Sequence, residues 1–173
     1  TENTSPKNIN KIAPRKYYGA DIQLSTQNEN WKSEIRAEYI TGLQSGTATS
    51  SSTPGTYPVD KNNLKLPYYT RNFDGSYITF IQNLNSSKNQ LILKYDWFDP
   101  NLKIKGDQIN AINGFSGADV RFDTYGFGFL HHFNSHLKAV IYYDVIKNER
   151  TQLINYQKDL ADNILTIRTQ FYF

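Results

Sequence analysis

LTIRTQFYF, residues 165–173, is the stretch whose reading decides the fold. Leu165, Ile167, Thr169, Phe171 and Phe173 fall on one side of an extended chain, because successive side chains of a strand point to opposite faces. A water-soluble domain rarely closes by presenting such a column to solvent. A strand whose outer column meets lipid can do so, and most of the upstream chain repeats this design.

The chain has 173 residues, is polar on average, and yet is 14% aromatic, with 13 Tyr and 10 Phe. No apolar run approaches the ~18–20 residues that a membrane helix needs. A membrane β-strand needs only about 9–11 tilted residues, of which every second one is apolar, with aromatic residues concentrated at the two interfaces. There is no cysteine, hence no disulfide and no thiolate metal site. The formal charge of +3 is too small to argue for nucleic acid.

Seven strands are expected. The first, roughly 15–25, sets Tyr18, Ala20, Ile22 and Leu24 against Tyr17, Asp21 and Gln23. The second, about 31–43, sets Trp31, Ile35, Ala37, Tyr39 and Leu43 against Lys32, Glu34, Arg36 and Glu38. Four charges in succession on one face must see water. The third, about 73–84, has apolar residues in both columns, so its faces stay unassigned. The fourth (about 90–98) alternates Leu91, Leu93, Tyr95 and Trp97 with Gln90, Lys94 and Asp96. The fifth (about 121–133) alternates Tyr125, Phe127, Phe129 and His131 with Gly126, Gly128 and His132. The sixth (about 137–146) sets Leu137, Ala139, Ile141, Tyr143 and Val145 against Lys138, Tyr142 and Asp144, and the seventh is 163–173.

Between them, short polar turns at Thr26–Asn30, Asn85–Ser87 and Phe133–His136 alternate with long loops. Two of these are the Ser/Thr/Gly/Pro segment 44–68 and the Asn/Gly-rich segment 99–118. Short turns on one side and long loops on the other are the rule of bacterial outer-membrane barrels. The expected fold is therefore all-β, a transmembrane antiparallel β-barrel. A secreted β-sandwich also alternates, but its connections do not sort by length in this way.

Seven strands that begin outside do not close, so either one strand escapes the reading or the chain is the C-terminal part of a larger barrel. With the last strand running toward the periplasm, the first runs the same way and residues 1–14 lie outside the cell. Lipid-facing backbone must be fully paired, and single-chain bacterial barrels use even strand numbers. The expectation is that residues 1–173 are the C-terminal part of one barrel domain, with 1–14 an external loop segment and 15–173 its strands and loops. The remaining strands would then come from elsewhere.

Several runs resemble the phosphate-selective porin O and P family in its Bacteroidetes form. They are YYGADIQLS (17–25), EIRAEYITGLQSG (34–46), YTRNFDGSY (69–77), NQLILKYDWFDPN (89–101), ADVRFDTYGFGFLHHFN (118–134), YYDVIKNERT (142–151) and DLADNILTIRTQFYF (159–173). The resemblance covers nearly the whole chain except the loop tips. It implies a barrel of about 16 strands, of which this chain supplies about seven, and a passive outer-membrane channel for small anions or nutrients, often trimeric. The arginine ladder and lysine cluster of the best-known members find no residue-by-residue match here, so they are not carried over.

If lipid takes the apolar column, the pore receives Asp21, Lys32, Glu34, Arg36, Glu38, Lys94, Asp96, Lys138, Asp144 and Arg168, five bases and five acids. Alternating opposite charges tend to pair and leave a weak field, whereas selective pores use rows of one sign. Leu165, Ile167, Phe171 and Phe173 form the C-terminal membrane-insertion signal. Asp96, Asp99, Asn101 and Asp107 offer oxygen ligands for calcium, but without EF-hand spacing, and Asp-Pro-Asn is ordinary turn chemistry. No Ser/His/Asp set or phosphate loop emerges, so neither an enzyme nor a cofactor is implied. Two functions of different class follow. One is a diffusion porin in contact with outer-membrane lipid and further strands, as a homotrimer or in a larger envelope complex. The other is a structural or interaction barrel without significant pore activity. Loops that fold toward the barrel axis favour the first.

Overall fold

The computed structural model describes residues 2–3, 13–28, 31–84 and 88–173. The expected turn at Asn85–Ser87 and most of segment 1–14 lie outside the described residues. The strands are β1 (Glu2–Asn3), β2 (Lys16–Gln27), β3 (Lys32–Gly46), β4 (Tyr69–Leu84), β5 (Asn89–Asp99), β6 (Phe122–His132), β7 (Leu137–Asn148) and β8 (Ile164–Phe171). β2 to β8 pair in sequence order as one antiparallel sheet, and β1 adds two residue pairs to the start of β4. One sheet, rather than two stacked ones, is not a sandwich. Among the described residues the helical content is three single 3-10 turns, at Gly106–Gln108, Gly117–Asp119 and Ile154–Tyr156.

Among the described residues the sheet is open, with β2 and β8 at its edges. Seven antiparallel strands in sequence order make the two edge strands run in the same direction. Bringing the edges together would create a parallel seam, so an all-antiparallel closure needs an odd number of additional strands.

All seven expected strands form, with two sets of boundaries corrected. β3 continues through Gln44, Ser45 and Gly46, and β4 begins at Tyr69, because these residues extend the β3–β4 ladder to the pair Gly46↔Tyr69. The first long loop is therefore 47–68. β5 runs through Asp99 and β6 starts at Phe122, which makes the second long loop 100–121. The GLQSG and YTRN runs lack alternation, so periodicity alone could not claim them.

Register assigns every face. Directly paired residues share a face, and the chain of pairs Leu24↔Ile35↔Phe80↔Leu93↔Phe127↔Tyr143↔Leu165 runs across the whole sheet without a polar residue. The next chain on this face is Ser33↔Gln82↔Leu91↔Phe129↔Ile141↔Ile167. The same pairing places Ile78 and Phe80 of β4 on the apolar face and Tyr77, Thr79 and Ile81 on the other. This apolar face is largely uncovered: Phe127 is 52% exposed and Ile167 68%. Burying a large apolar side chain is worth about 1.5–3 kcal/mol, so a face of this size in water would be a heavy liability.

The opposite face carries a local packing device. Gly126 and Gly128 alternate with the outward aromatics of β6, and the Tyr142 ring lies over both glycines. A Cβ at Gly126 would come within 2.0 Å of the Tyr142 hydroxyl, and one at Gly128 within 2.3 Å of its ring. An aromatic side chain here fills the space that strand glycines leave open. Gly128→Val should therefore lower stability by about 1–3 kcal/mol, as overpacking does. Urea unfolding of the single variant and of the double variant with Tyr142→Ala checks it, the second change recovering part of the loss.

Candidate functional site

The candidate site is the face opposite the apolar one, together with the long loops at its end. All ten charged residues expected to share a face do so. Asp21 pairs with Glu38, Lys94 and Asp144 both lie opposite Gly126, and Arg168 lies opposite Val140. Two of the expected neutralising pairs form. Glu34 accepts from the Arg36 guanidinium and also, at 2.6 Å, from the Gln23 amide. Lys94 sits 2.7 Å from Asp96. The remaining charges do not pair in the way that simple alternation suggests: Asp21 and Glu38, two carboxylates, face each other directly.

The long loops fold back over this face. Arg71 of β4 shares it, being paired with Gln44 one register step beyond Gly42↔Phe73. Arg71 donates from Nε to Asp119 Oδ1 at 2.7 Å and from Nη2 to Asp119 Oδ2 at 3.4 Å, both residues being buried, 3% and 1% exposed. Its Nη1 donates to the Thr47 carbonyl at 2.9 Å, so one guanidinium ties the first and second long loops to the sheet. Asp119 accepts further bonds from Asn101 Nδ2 (2.9 Å) and from the Ser116 backbone N–H (3.1 Å), and Ser116 Oγ donates to the Ala48 carbonyl at 2.6 Å. A buried ion pair survives only when its remaining hydrogen-bonding positions are filled in this way. Beside it, Ile104, Ile109 and Val120 form a small apolar core, with Phe115, Phe122, Leu153 and Tyr156 packed around it.

The third long loop, 149–163, joins the same layer. Glu149 Oε1 accepts from the Gly106 N–H at 2.6 Å, and the Gln152 N–H donates to the Ile109 carbonyl at 3.1 Å. Farther along this loop Asp159 pairs with Lys147 and accepts from the Asn148 N–H at 3.2 Å. The hydrogen bond from Lys147 holds the Asp159 carboxyl below its ordinary value. A depressed carboxylate favours the folded loop above the usual aspartate range, and that contribution is lost as pH falls through the lowered value.

The oxygen ligands weighed for calcium are dispersed. Asp96 and Asp99 stand on opposite faces of β5, Asn101 is bonded to Asp119, and Asp107 Oδ1 accepts from Gln152. Among the described residues no cluster of three metal-ligating side chains exists. His131 and His132 likewise lie on opposite faces, His131 bonding Asn89 at 2.6 Å.

No family model, curated protein or solved structure matches this chain. At the long-loop end of the apolar face, aromatic residues turn their polar tips onto carboxylates. Tyr95 OH donates to Asp123 at 2.7 Å, and Trp97 Nε1 (3.2 Å) and Tyr39 OH (3.3 Å) both donate to Asp74. Arg121 bonds Asp123 at 2.7 Å and stands 5.8 Å from the Trp97 ring centre. Near the short-turn end stand His131 and Phe133, with ring centres 4.6 Å apart.

The Arg71–Asp119 anchor and the loop cap were invisible to sequence reading. The partners are 48 positions apart, and nothing in the runs that contain them marks the pairing. Residues 165 and 167 stand in β8 on the apolar face with Phe171, paired to Tyr143, Ile141 and Leu137, while Phe173 lies just beyond the strand.

Proposed function

We propose that this chain forms part of the wall of an outer-membrane porin through which small hydrophilic solutes diffuse passively. The observation that carries the reading is the division of one continuous sheet into an exposed apolar face and a charged face. Lipid is the partner suited to a broad apolar face ringed by amphipathic aromatics, and water is the partner suited to ten ionisable side chains. From Asp123 to His131 on β6 the apolar face spans nine residues, eight steps of about 3.4 Å or about 27 Å along the strand. A barrel tilt of roughly 40° brings that near 20 Å, comparable to the ~25 Å apolar band of such barrels. The open β2 and β8 edges are paired, in this reading, by an odd number of further strands, since lipid offers no hydrogen bonds to a bare edge. The loops fold over the charged face, which favours a constricted channel over a barrel whose loops project to hold a partner. Small anions such as phosphate remain within the proposed solute class through the family resemblance.

Planar-bilayer conductance of the mildly extracted, undissociated protein, with the reversal potential read across a KCl gradient, tests this. Steady conductance is expected, and a reversal potential shifted toward that of chloride would mark anion preference. Folded protein that never conducts would overturn the porin reading in favour of a structural barrel.

A further inference from the structure

We infer that the charged face is polarised along its strands, so that a pore walled by it passes current more readily in one direction than in the other. The inference rests on the porin reading and adds a property that composition conceals, since the ten charges sum to zero.

Cross-strand neighbours sort the charges into rows. Toward the long loops, Asp21↔Glu38↔Tyr77↔Asp96 places three carboxylates in one row, which continues through Thr124 and Ile146 and holds no base. Asp96 is paired with Lys94 of the next row, so Asp21 and Glu38 carry the uncompensated charge, and Arg71, three rows nearer the loops, is neutralised by Asp119. The middle rows balance. Arg36, Lys94 and Asp144 share one, and Glu34 lies in the next. Toward the short turns the sign reverses. Arg168 lies in the row of Val140, Leu130, Gln90 and Asn83, and Lys32 is level with it, because its neighbour Ser33 pairs with Gln82. Lys138 follows one row lower between His132 and Gln170. Those two rows hold three bases and no carboxylate.

Geometry keeps the zones distinct. Glu38 and Lys32 are six residues apart on β3, about 20 Å along the strand. That exceeds the Debye length of about 10 Å at 0.1 M salt, so each zone sets its own local ion population. Asp21 and Glu38 are exposed, and no ion pair among the described residues neutralises either. Like charges placed directly opposite cost stability.

An acidic zone in series with a basic one acts on both ions together. One polarity drives cations in through the acidic zone and anions in through the basic zone, so both accumulate between them and conductance rises. The opposite polarity draws both out and conductance falls. Fixed rows of one sign are how pores select ions, and two rows of opposite sign select by direction.

The test is the current–voltage curve of single channels of the whole assembly in about 0.1 M KCl, taken channel by channel so that insertion direction does not average out. The expected curve is asymmetric and becomes symmetric near 1 M, where the Debye length is about 3 Å. Asp21→Asn with Glu38→Gln removes an exposed repulsion, so folding is preserved, and it should reduce the asymmetry by at least about two-fold. A conducting channel with a symmetric curve at low salt, or an asymmetry that the double variant leaves intact, overturns this inference and leaves the porin reading standing. Folded protein without conductance overturns both.

Discussion

Phe127→Arg is expected to destabilise the membrane-inserted sheet by about 2–4 kcal/mol, the cost of an arginine near the midplane on the lipid side of a β-barrel. Phe127 lies in the middle of β6 on the apolar face, between Leu93 and Tyr143. Half exposed to whatever surrounds the sheet, it measures that surrounding directly. In water, an arginine at an exposed strand position would change stability by no more than about 0.5 kcal/mol. The control is Ser25→Arg on the opposite face, directly across from Glu34, which should leave stability nearly unchanged. Reversible urea unfolding in lipid vesicles gives both numbers. Equal effects from the two variants would mean that the two faces meet the same solvent.

The second large effect is at the loop anchor. Asp119→Ala should cost about 3–5 kcal/mol, because it leaves the buried Arg71 guanidinium without its carboxylate. The loss extends to Asn101 and to the Ser116 N–H, which give up the same acceptor. It should appear first as local opening of loop 100–121, read as faster proteolytic cleavage there, while the β5–β7 ladder persists. Replacing both partners by leucine removes the uncompensated charge, and most of the loss should be recovered. A cleavage rate unchanged in Asp119→Ala would mean that the apolar core of Ile104, Ile109 and Val120 holds the loop without the ion pair.

Strand existence was legible wherever one column was wholly apolar and the other charged. β3, with Glu34, Arg36 and Glu38 between Ile35, Ala37 and Tyr39, is the clearest case. β4 was legible as a strand but not by face, because Ile81 and Tyr77 on one side rival Ile78 and Phe80 on the other. Only pairing with Ile35 and Ala37 separates them. The ends of β3 and β4 were hidden for a different reason: glycine and polar residues there pair through backbone alone, and backbone pairing leaves no period in the sequence. The membership of the charged face could be read strand by strand, but the order of charges within it could not. Glu38 and Asp96 share a row only through Tyr77, and that depends on the register of three strands. Counting predicts a balanced, weakly charged wall; the register adds where along the strands each charge falls.

In the proposed arrangement one face of this sheet meets lipid and the other meets water. Because the chain contains no cysteine, single cysteines can be placed in turn at residues 35 to 39 of β3 in the membrane-inserted protein. Each is then probed with a charged, water-soluble maleimide and, after fluorophore labelling, with nitroxide-bearing lipids as quenchers. Strict alternation is expected: positions 35, 37 and 39 quenched by lipid and resistant to the aqueous reagent, positions 36 and 38 the reverse. Uniform reaction with the aqueous reagent along the run, without lipid quenching at 35, 37 and 39, would contradict it.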